Sequence, residues 1–336
     1  MTRAPLALSL AATLSLASCA SQPEREAPPA RPTAVELSTL REDALAMLTE
    51  AAASDDPQQR ANAIEALASA PSRAADAARA GLTDENLAVR YVATMTCGRL
   101  GQRDLLPAVR PLLNDPSPVV RAAAIYATTA LGGTADPSPL GRLLLDAGDT
   151  RQRAQAAFIL GEIGNASALP LLRDAARRNP ATATLAELRL LRLQIAEAMV
   201  KLGDQTAIAT VRAALYPSRP EELEAAALAV QILGEINDRR SADQLIYLIE
   251  RTGVDRMPAE VRLAAAAALA KLGERGGGFV ADEYAAHEQA VLRAQAAAVY
   301  GELGDPANTG KLRELMSDPD PLVRLAAGAG VLRLRH

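Results

Sequence analysis

The chain has 336 residues, of which 49% are hydrophobic and 23% charged, and its formal charge is −4. That is enough apolar material for a sizeable core. Aromatics make up only 2%, tryptophan is absent and the balance is mildly acidic. The composition therefore lacks the basic footprint of a nucleic-acid binder, and no nucleic-acid partner is expected.

The N-terminus reads as a targeting segment. Arg3 opens a short positive region, and Ala4 to Ala17 is apolar apart from two serines and a threonine. A run of this length is short for a bilayer span but suits the apolar region of a signal peptide. It leads into Leu16-Ala17-Ser18-Cys19, which resembles a bacterial lipobox. The resemblance implies cleavage before Cys19, a thioether-linked diacylglycerol on its sulfur, and acylation of the new amino group, which together anchor stably. The other reading is an ordinary secretory signal, with Cys19 lost or left free. On the lipoprotein reading, Ala20 in place of an aspartate favours the outer over the inner membrane. Residues 1–18 are then the signal peptide. Residues 19–34 are the lipidated cysteine and its tether, with Pro23, Pro28, Pro29 and Pro32 keeping the tether extended.

From residue 35 onward one arginine recurs, at Arg60, Arg90, Arg121, Arg153, Arg192, Arg262, Arg293 and Arg324. The intervals are 30, 31, 32, 39, 70, 31 and 31 residues, and 70 is two periods. Self-similarity at this period marks a stacked solenoid. Eleven residues after each position a helix stop appears, at Gly101, Gly132, Gly164, Gly203, Asn237, Gly273 and Gly304. Glycine and asparagine enter the left-handed region most cheaply. Asn114-Asp115-Pro116-Ser117-Pro118-Val119-Val120-Arg121 and Ser317-Asp318-Pro319-Asp320-Pro321-Leu322-Val323-Arg324 each read as a loop, an aspartate N-cap, proline in the first turn, then a helix. A second helix follows most stops, most clearly from Ala166, Asp204 and Asp238.

The Asp-Pro-x-x-x-Val-Arg start, the alanine-rich run to glycine and the following apolar helix together resemble HEAT repeats, particularly the short type of phycobilin lyases. The resemblance covers roughly residues 35–336. It implies an all-α, right-handed solenoid of about nine helix pairs. Read as an open stack, that is an arc on the order of 80 Å. Ala226 replaces the arginine of the sixth copy, and Pro71 stands where the first glycine stop belongs.

The arginine shares a face with the apolar residues three, seven and ten positions later, so it is partly buried and needs a partner. The resemblance implies that partner: the aspartate at the helix start, such as Asp84, Asp115 or Asp318. Arg90, Arg121, Arg153, Arg192, Arg262, Arg293 and Arg324 would then form a structural ladder. Cys97 lies seven residues after Arg90, a core position filled elsewhere by residues such as Leu67, Leu160 and Leu233, and reads as a buried inert thiol.

Positions two, five and nine after the arginine are the most polar and share one helical face. They predict the exposed, concave side. Position nine alternates in sign through Glu162, Lys201, Glu235, Lys271, Glu302 and Arg333. That predicts a ladder of cross-repeat ion pairs, or alternatively a charge pattern for a charged ligand. Position five instead places Met95, Tyr126 and Phe158 in consecutive repeats, with Val92 beside them at position two. Exposed, these four form a partner-binding stripe; turned inward by local twist, they are core. The two long periods insert residues around Asn179 to Thr184 and Arg251 to Pro258, within a pair and on one edge. The inserts read as binding loops or as tolerated length variation. Gly276-Gly277-Gly278 reads as a flexible link on the opposite edge.

Chemistry-bearing motifs are sparse. The two histidines, His287 and His336, have no metal-ligand spacing, and no nucleophile elbow, Walker loop or dinucleotide fingerprint occurs. No metal and no cofactor are expected. The reading is a non-catalytic protein–protein scaffold, lipid-anchored on the periplasmic side of a bacterial envelope membrane, with another protein on its concave face. The alternatives are an envelope enzyme or ligand-binding protein with a site inside the arc, and a structural spacer in an envelope complex.

Overall fold

The computed structural model describes residues 32–181 and 183–335. The expected signal peptide, Cys19 and most of the expected tether lie outside them. Residues 32–336 form one compact unit, and its described part is all-α.

The unit opens with α1 (Ala34–Ala51). Eight helix pairs follow: α2 (Pro57–Ala66) with α3 (Pro71–Gly81), α4 (Leu87–Leu100) with α5 (Leu106–Val109), α6 (Pro118–Ala130) with α7 (Ser138–Asp146), α8 (Thr150–Ile163) with α9 (Leu169–Arg177), α10 (Leu185–Lys201) with α11 (Ile208–Ala213), α12 (Leu223–Glu235) with α13 (Ala242–Glu250), α14 (Ala259–Lys271) with α15 (Gly278–Tyr284), and α16 (Ala290–Leu303) with α17 (Thr309–Leu315). The last helix is α18 (Pro321–Arg333). The even-numbered helices carry the periodic arginine and form an inner layer, and the odd-numbered ones form the outer layer.

Local chemistry sets the ends. Six glycine stops have positive φ, from 59° at Gly304 to 101° at Gly203, and Asn237 takes the seventh at φ 55°. Helix starts are capped, by Asp149 on α8 and Asp320 on α18, and by reciprocal Thr33–Glu36 and Thr184–Glu187 pairs on α1 and α10. The repeated aspartates sit one step earlier than expected. Asp84, Asp115 and Asp318 precede the N-caps by two residues, and each accepts from a cap amide, at Asn86, Ser117 and Asp320, over 2.8, 2.8 and 2.9 Å.

The stack is a closed ring, not the open arc expected. Inner helix α18 packs on α16 and also on α2, and α1 packs on α18. Leu48 of α1 joins one apolar cluster with Ala63, Ala66 and Leu67 from the first pair and Leu325 and Ala329 from α18. Leu37, Leu40 and Ala44 join a second cluster running through Val323 and Val331. Arg41 donates to the carbonyl of Leu334 across the same seam. α1 is thus the outer partner that α18 lacks, so the ninth pair is assembled from both ends of the chain. Closure buries apolar faces that an open solenoid would leave for a capping repeat.

Neighbouring inner helices meet at alternately close interfaces. A Cβ placed on Gly161 would lie 2.9 Å from Cα of Ala198, one on Gly234 3.1 Å from Cα of Ala268, and one on Gly301 2.6 Å from Cα of Gly330. These are the α8–α10, α12–α14 and α16–α18 contacts. The same three interfaces carry the position-nine ion pairs. Lys201–Glu162 is 2.6 Å, Arg333–Glu302 is 3.1 Å, and Lys271 pairs with Glu235. The expected continuous ladder is therefore three separate pairs, because a glutamate follows each close-contact glycine and reaches only the helix packed there.

The long inserts join one pair to the next, α9 to α10 and α13 to α14, and do not fall within a pair. Both still share one rim. The Gly276–Gly278 turn is on the opposite rim but is packed: Gly277 is buried, and a Cβ there would come 3.0 Å from Cα of Ala266.

Candidate functional site

The arginine ladder is partial. Arg60, Arg90 and Arg293 grip Asp84, Asp115 and Asp318 through Nε and Nη2, with shortest distances of 2.7, 2.8 and 2.7 Å. Their Nη1 atoms meanwhile donate to two carbonyls of their own loop, for example Arg90 to Asp84 and Glu85 at 2.9 and 3.0 Å. The hydrogen bond from Arg60 holds the Asp84 carboxyl below the usual range, and Arg293 does the same for Asp318. The other arginines depart from the expected ladder because the residue six places before the next arginine is not aspartate. Arg121 and Arg324 hold only their loop carbonyls. Arg153 donates to the Ala147 carbonyl. Arg192 is exposed and reaches Asn179. Arg262, only 3% exposed, turns to Glu283, Tyr284 and the Ile249 carbonyl. The sixth pair has Ala226 in the arginine position. Separately, outer-helix arginines reach the aspartate near the start of the next outer helix, as Arg212 of α11 does at Asp238 (2.7 Å) and Arg173 of α9 at Asp204 (2.8 Å).

The inner face divides into a filled and a hollow part. Met95 is 2% exposed and Tyr126 7%, so neither belongs to an accessible stripe. Val92 and Phe158 are half-buried, and all four fall in one apolar cluster. The ring curves tightly enough to bring these side chains together. Tyr126 lies in the notch left by Gly98, where any Cβ would meet the tyrosine ring. Gln155 of α8 reaches past α6 to hydrogen-bond Tyr91 of α4. Burial pushes the Tyr91 hydroxyl up to about 12. Cys97 is fully buried beside this region, and burial pushes its thiol up to about 11, as its core position predicts.

On the other side position five shrinks to Ala267, Ala298 and Ala329. Here five consecutive inner helices, α8 to α16, surround a cavity of about 470 Å³. Its polar lining is Gln194, Glu197, Gln231, Glu235, Glu260, Lys271, Gln295 and Glu302, with Phe158 at one end. Glu197 is buried, accepts from Gln194 at 2.7 Å and pairs with Lys201 at 2.6 Å. Lys201 stands 5.1 Å from the centre of the Phe158 ring. Burial opposes its charge, but Glu197 and Glu162 outweigh burial and hold its pKa above the ordinary lysine value. Four carboxylates against one lining lysine make the cavity acidic, and Glu260 has no cation paired to it among the described residues. The sequence signal for this site was the fall in size at position five, visible only once the ring is known to close.

The rims differ as well. Nine large apolar side chains are exposed among the described residues, and six of them lie where outer helices pass to inner ones. Five of the six, Leu185, Tyr216, Val254, Val291 and Leu322, come one each from five consecutive outer-to-inner junctions, α9–α10 to α17–α18. Val254 lies in one of the two inserts. Thr33, where the chain enters the unit, is on the opposite rim, because α1 runs antiparallel to α2. No helix among the described residues is long and apolar enough to cross a membrane, and no group of acidic, histidine or cysteine side chains among them is placed to hold a metal ion.

Known proteins share the repeat. Residues 45–129 and 75–156 match the model for HEAT repeats, and residues 152–178 match the PBS lyase HEAT-like repeat. No curated protein sequence matches the chain significantly. Among solved structures, human deoxyhypusine hydroxylase in complex with glycerol is 19% identical, with 79% of this chain and 97% of that chain covered and a TM-score of 0.38. The complex of CpcE and CpcF of phycocyanin lyase from Nostoc sp. PCC7120 is 19% identical, covering 91% and 96%, at a TM-score of 0.31. An engineered protein is 17% identical, covering 90% and 92%, at a TM-score of 0.36. These are likenesses of fold. The chain is an all-α solenoid, and its residues 45–178 carry HEAT repeats, one of the PBS lyase type among them.

Proposed function

We propose that this protein is a non-catalytic interaction scaffold, held by lipid on Cys19 at the periplasmic face of a bacterial envelope membrane, and that a partner protein docks on the rim where the inner helices begin. The observation that carries the docking site is the set Leu185, Tyr216, Val254, Val291 and Leu322, one exposed apolar side chain at each of five consecutive outer-to-inner junctions. A large apolar side chain exposed at every one of five successive junctions on one rim gives a regularly spaced set of contacts for a partner lying along that rim. The reading replaces the inner-face stripe, since Met95 and Tyr126 are covered. The lipobox-like Leu16-Ala17-Ser18-Cys19 and the proline-rich residues after it support the anchor.

The test is photo-crosslinking from residues 185 and 322, which the variant leaves free for the probe, in intact cells. A defined product should form in wild type and vanish in a Tyr216→Ser/Val254→Asp/Val291→Asp variant that folds normally. The same product at the same yield in that variant would contradict the docking site. Cys19→Ser should release the protein from membranes; a Cys19→Ser protein that stays membrane-bound would contradict the anchor.

A second reading has its own observation. The inner cavity of about 470 Å³ is within the size range of small-molecule sites and is lined by acids and amides. Its occupant would be a small organic cation. Di- and polyamines should then raise the melting temperature of wild type but not of Glu260→Gln, and an equal response in both would remove this reading.

A further inference from the structure

We infer that Arg121 forms a carboxylate-binding notch on the ring. The chain supplies its own template for the site. At Arg60, Arg90 and Arg293 one edge of the guanidinium is held by two loop carbonyls, and the other edge, Nε and Nη2, grips an aspartate. Arg121 is held in the same way, with Nη1 donating to the carbonyls of Asp115 and Pro116 at 2.7 and 3.0 Å. Its gripping edge meets no carboxylate among the described residues. The residue that should provide one is Ala147, six places before Arg153, just as Asp115 is six places before Arg121. The backbone there is already correct: φ −58° and ψ 136° at Ala147 against φ −56° and ψ 142° at Asp115. Only the carboxyl is missing, and in its place is a cavity of about 330 Å³ lined by Arg121, Arg142, Asp146, Ala147 and Gln152.

Two arginines against one aspartate leave this notch cationic. A guanidinium fixed on one edge presents a planar fork to an incoming carboxylate with little left to organise, which favours bidentate capture. The same gap recurs at Arg324, where Ser54 stands at the aspartate position. That cavity of about 570 Å³ is also lined by Glu50 and Asp55, whose charges oppose an anion, so the site is assigned to Arg121. The ligand is a carboxylate group, either of a small organic acid or of an aspartate or glutamate on a docking protein segment.

The two sources separate in one experiment. Sodium formate is titrated into ¹⁵N-labelled protein at constant ionic strength, with chloride as the control anion, and the arginine Nε–H resonances are followed. A peptide with a single central aspartate is titrated in parallel with its asparagine counterpart. Arg121→Gln identifies the resonance. The expected result is a saturable shift of the Arg121 signal with formate, with a Kd of about 1 mM or weaker, the range open to a three-atom ligand. Arg90 should not respond, and Ala147→Asp, which supplies the missing carboxyl from within, should weaken binding at least about tenfold. Response to the peptide as well extends the site to a protein segment, and response to formate alone restricts it to small acids. No saturable shift with either probe, or an unchanged response in Ala147→Asp, would overturn the assignment. If Ala147→Asp fails to fold, loss in Arg121→Gln of a formate-dependent rise in melting temperature decides the same question.

Discussion

Leu48→Ala tests the seam that makes the solenoid a ring. Leu48 is fully buried, packed with Leu67, Leu325 and Ala329, and its Cγ lies 3.4 Å from where a Cβ on Gly328 would be. Removing three carbons forfeits about 2.4 kcal/mol of transfer free energy at about 0.8 kcal/mol per methylene. A residual cavity adds to this, since α1 and α18 are both held by other contacts, so the total loss is about 3–4 kcal/mol. Leu172, equally buried in α9 and remote from the seam, serves as the control. Both Leu→Ala variants should lower stability in urea by similar amounts. Only Leu48→Ala should speed amide exchange selectively in α1 and α18, because it opens the seam before the rest unfolds. A loss below about 1 kcal/mol, or exchange rising uniformly around the ring, would refute the packing of α1 on α18.

Other outcomes follow from the same geometry. Gly161→Ala should destabilise by about 1–3 kcal/mol through overpacking against the Ala198 backbone, whereas Gly148→Ala, with open space around its Cα, should cost less than about 1 kcal/mol in the same urea titration. The carboxyls of Asp84 and Asp318 are held below their ordinary 3.8 by Arg60 and Arg293. Groups depressed in the folded state stabilise it above their unfolded pKa, and that contribution disappears as pH falls through the folded one. Thermal melts should therefore show stability falling below about pH 4, and Asp84→Asn/Asp318→Asn should flatten that fall. Cys97, buried with its thiol pushed up to about 11, should react with a thiol reagent at neutral pH only as fast as the protein unfolds; prompt labelling of the native form would contradict its burial.

The period, the helix stops and the pairing of helices were legible because each rests on local chemistry. Glycine or asparagine at the left-handed stops and the repeated arginine are readable one repeat at a time. Closure was not legible, since it depends on a small rotation per repeat summed over nine pairs. Missing the closure misplaced the site. The sequence left Met95 and Tyr126 open between an exposed stripe and core, because position five is polar elsewhere; in a ring that face converges and large side chains fill it. The ladder failed for a simpler reason. The aspartate it needs is present before only some arginines, and at Ala147 the sequence already showed the gap that the structure turns into a notch.

Closure itself is most directly tested by a spin-label distance across the seam. Glu36 on α1 and Arg313 on α17 flank α18, on which both helices pack, although they stand at opposite ends of the chain. Labels at Glu36→Cys and Arg313→Cys, in a protein begun after Cys19 and with Cys97 left buried, should give one short, narrow distance distribution. An open stack of nine pairs at roughly 8–10 Å per pair would separate the labels by several tens of ångströms. A long or broad distribution would contradict the ring.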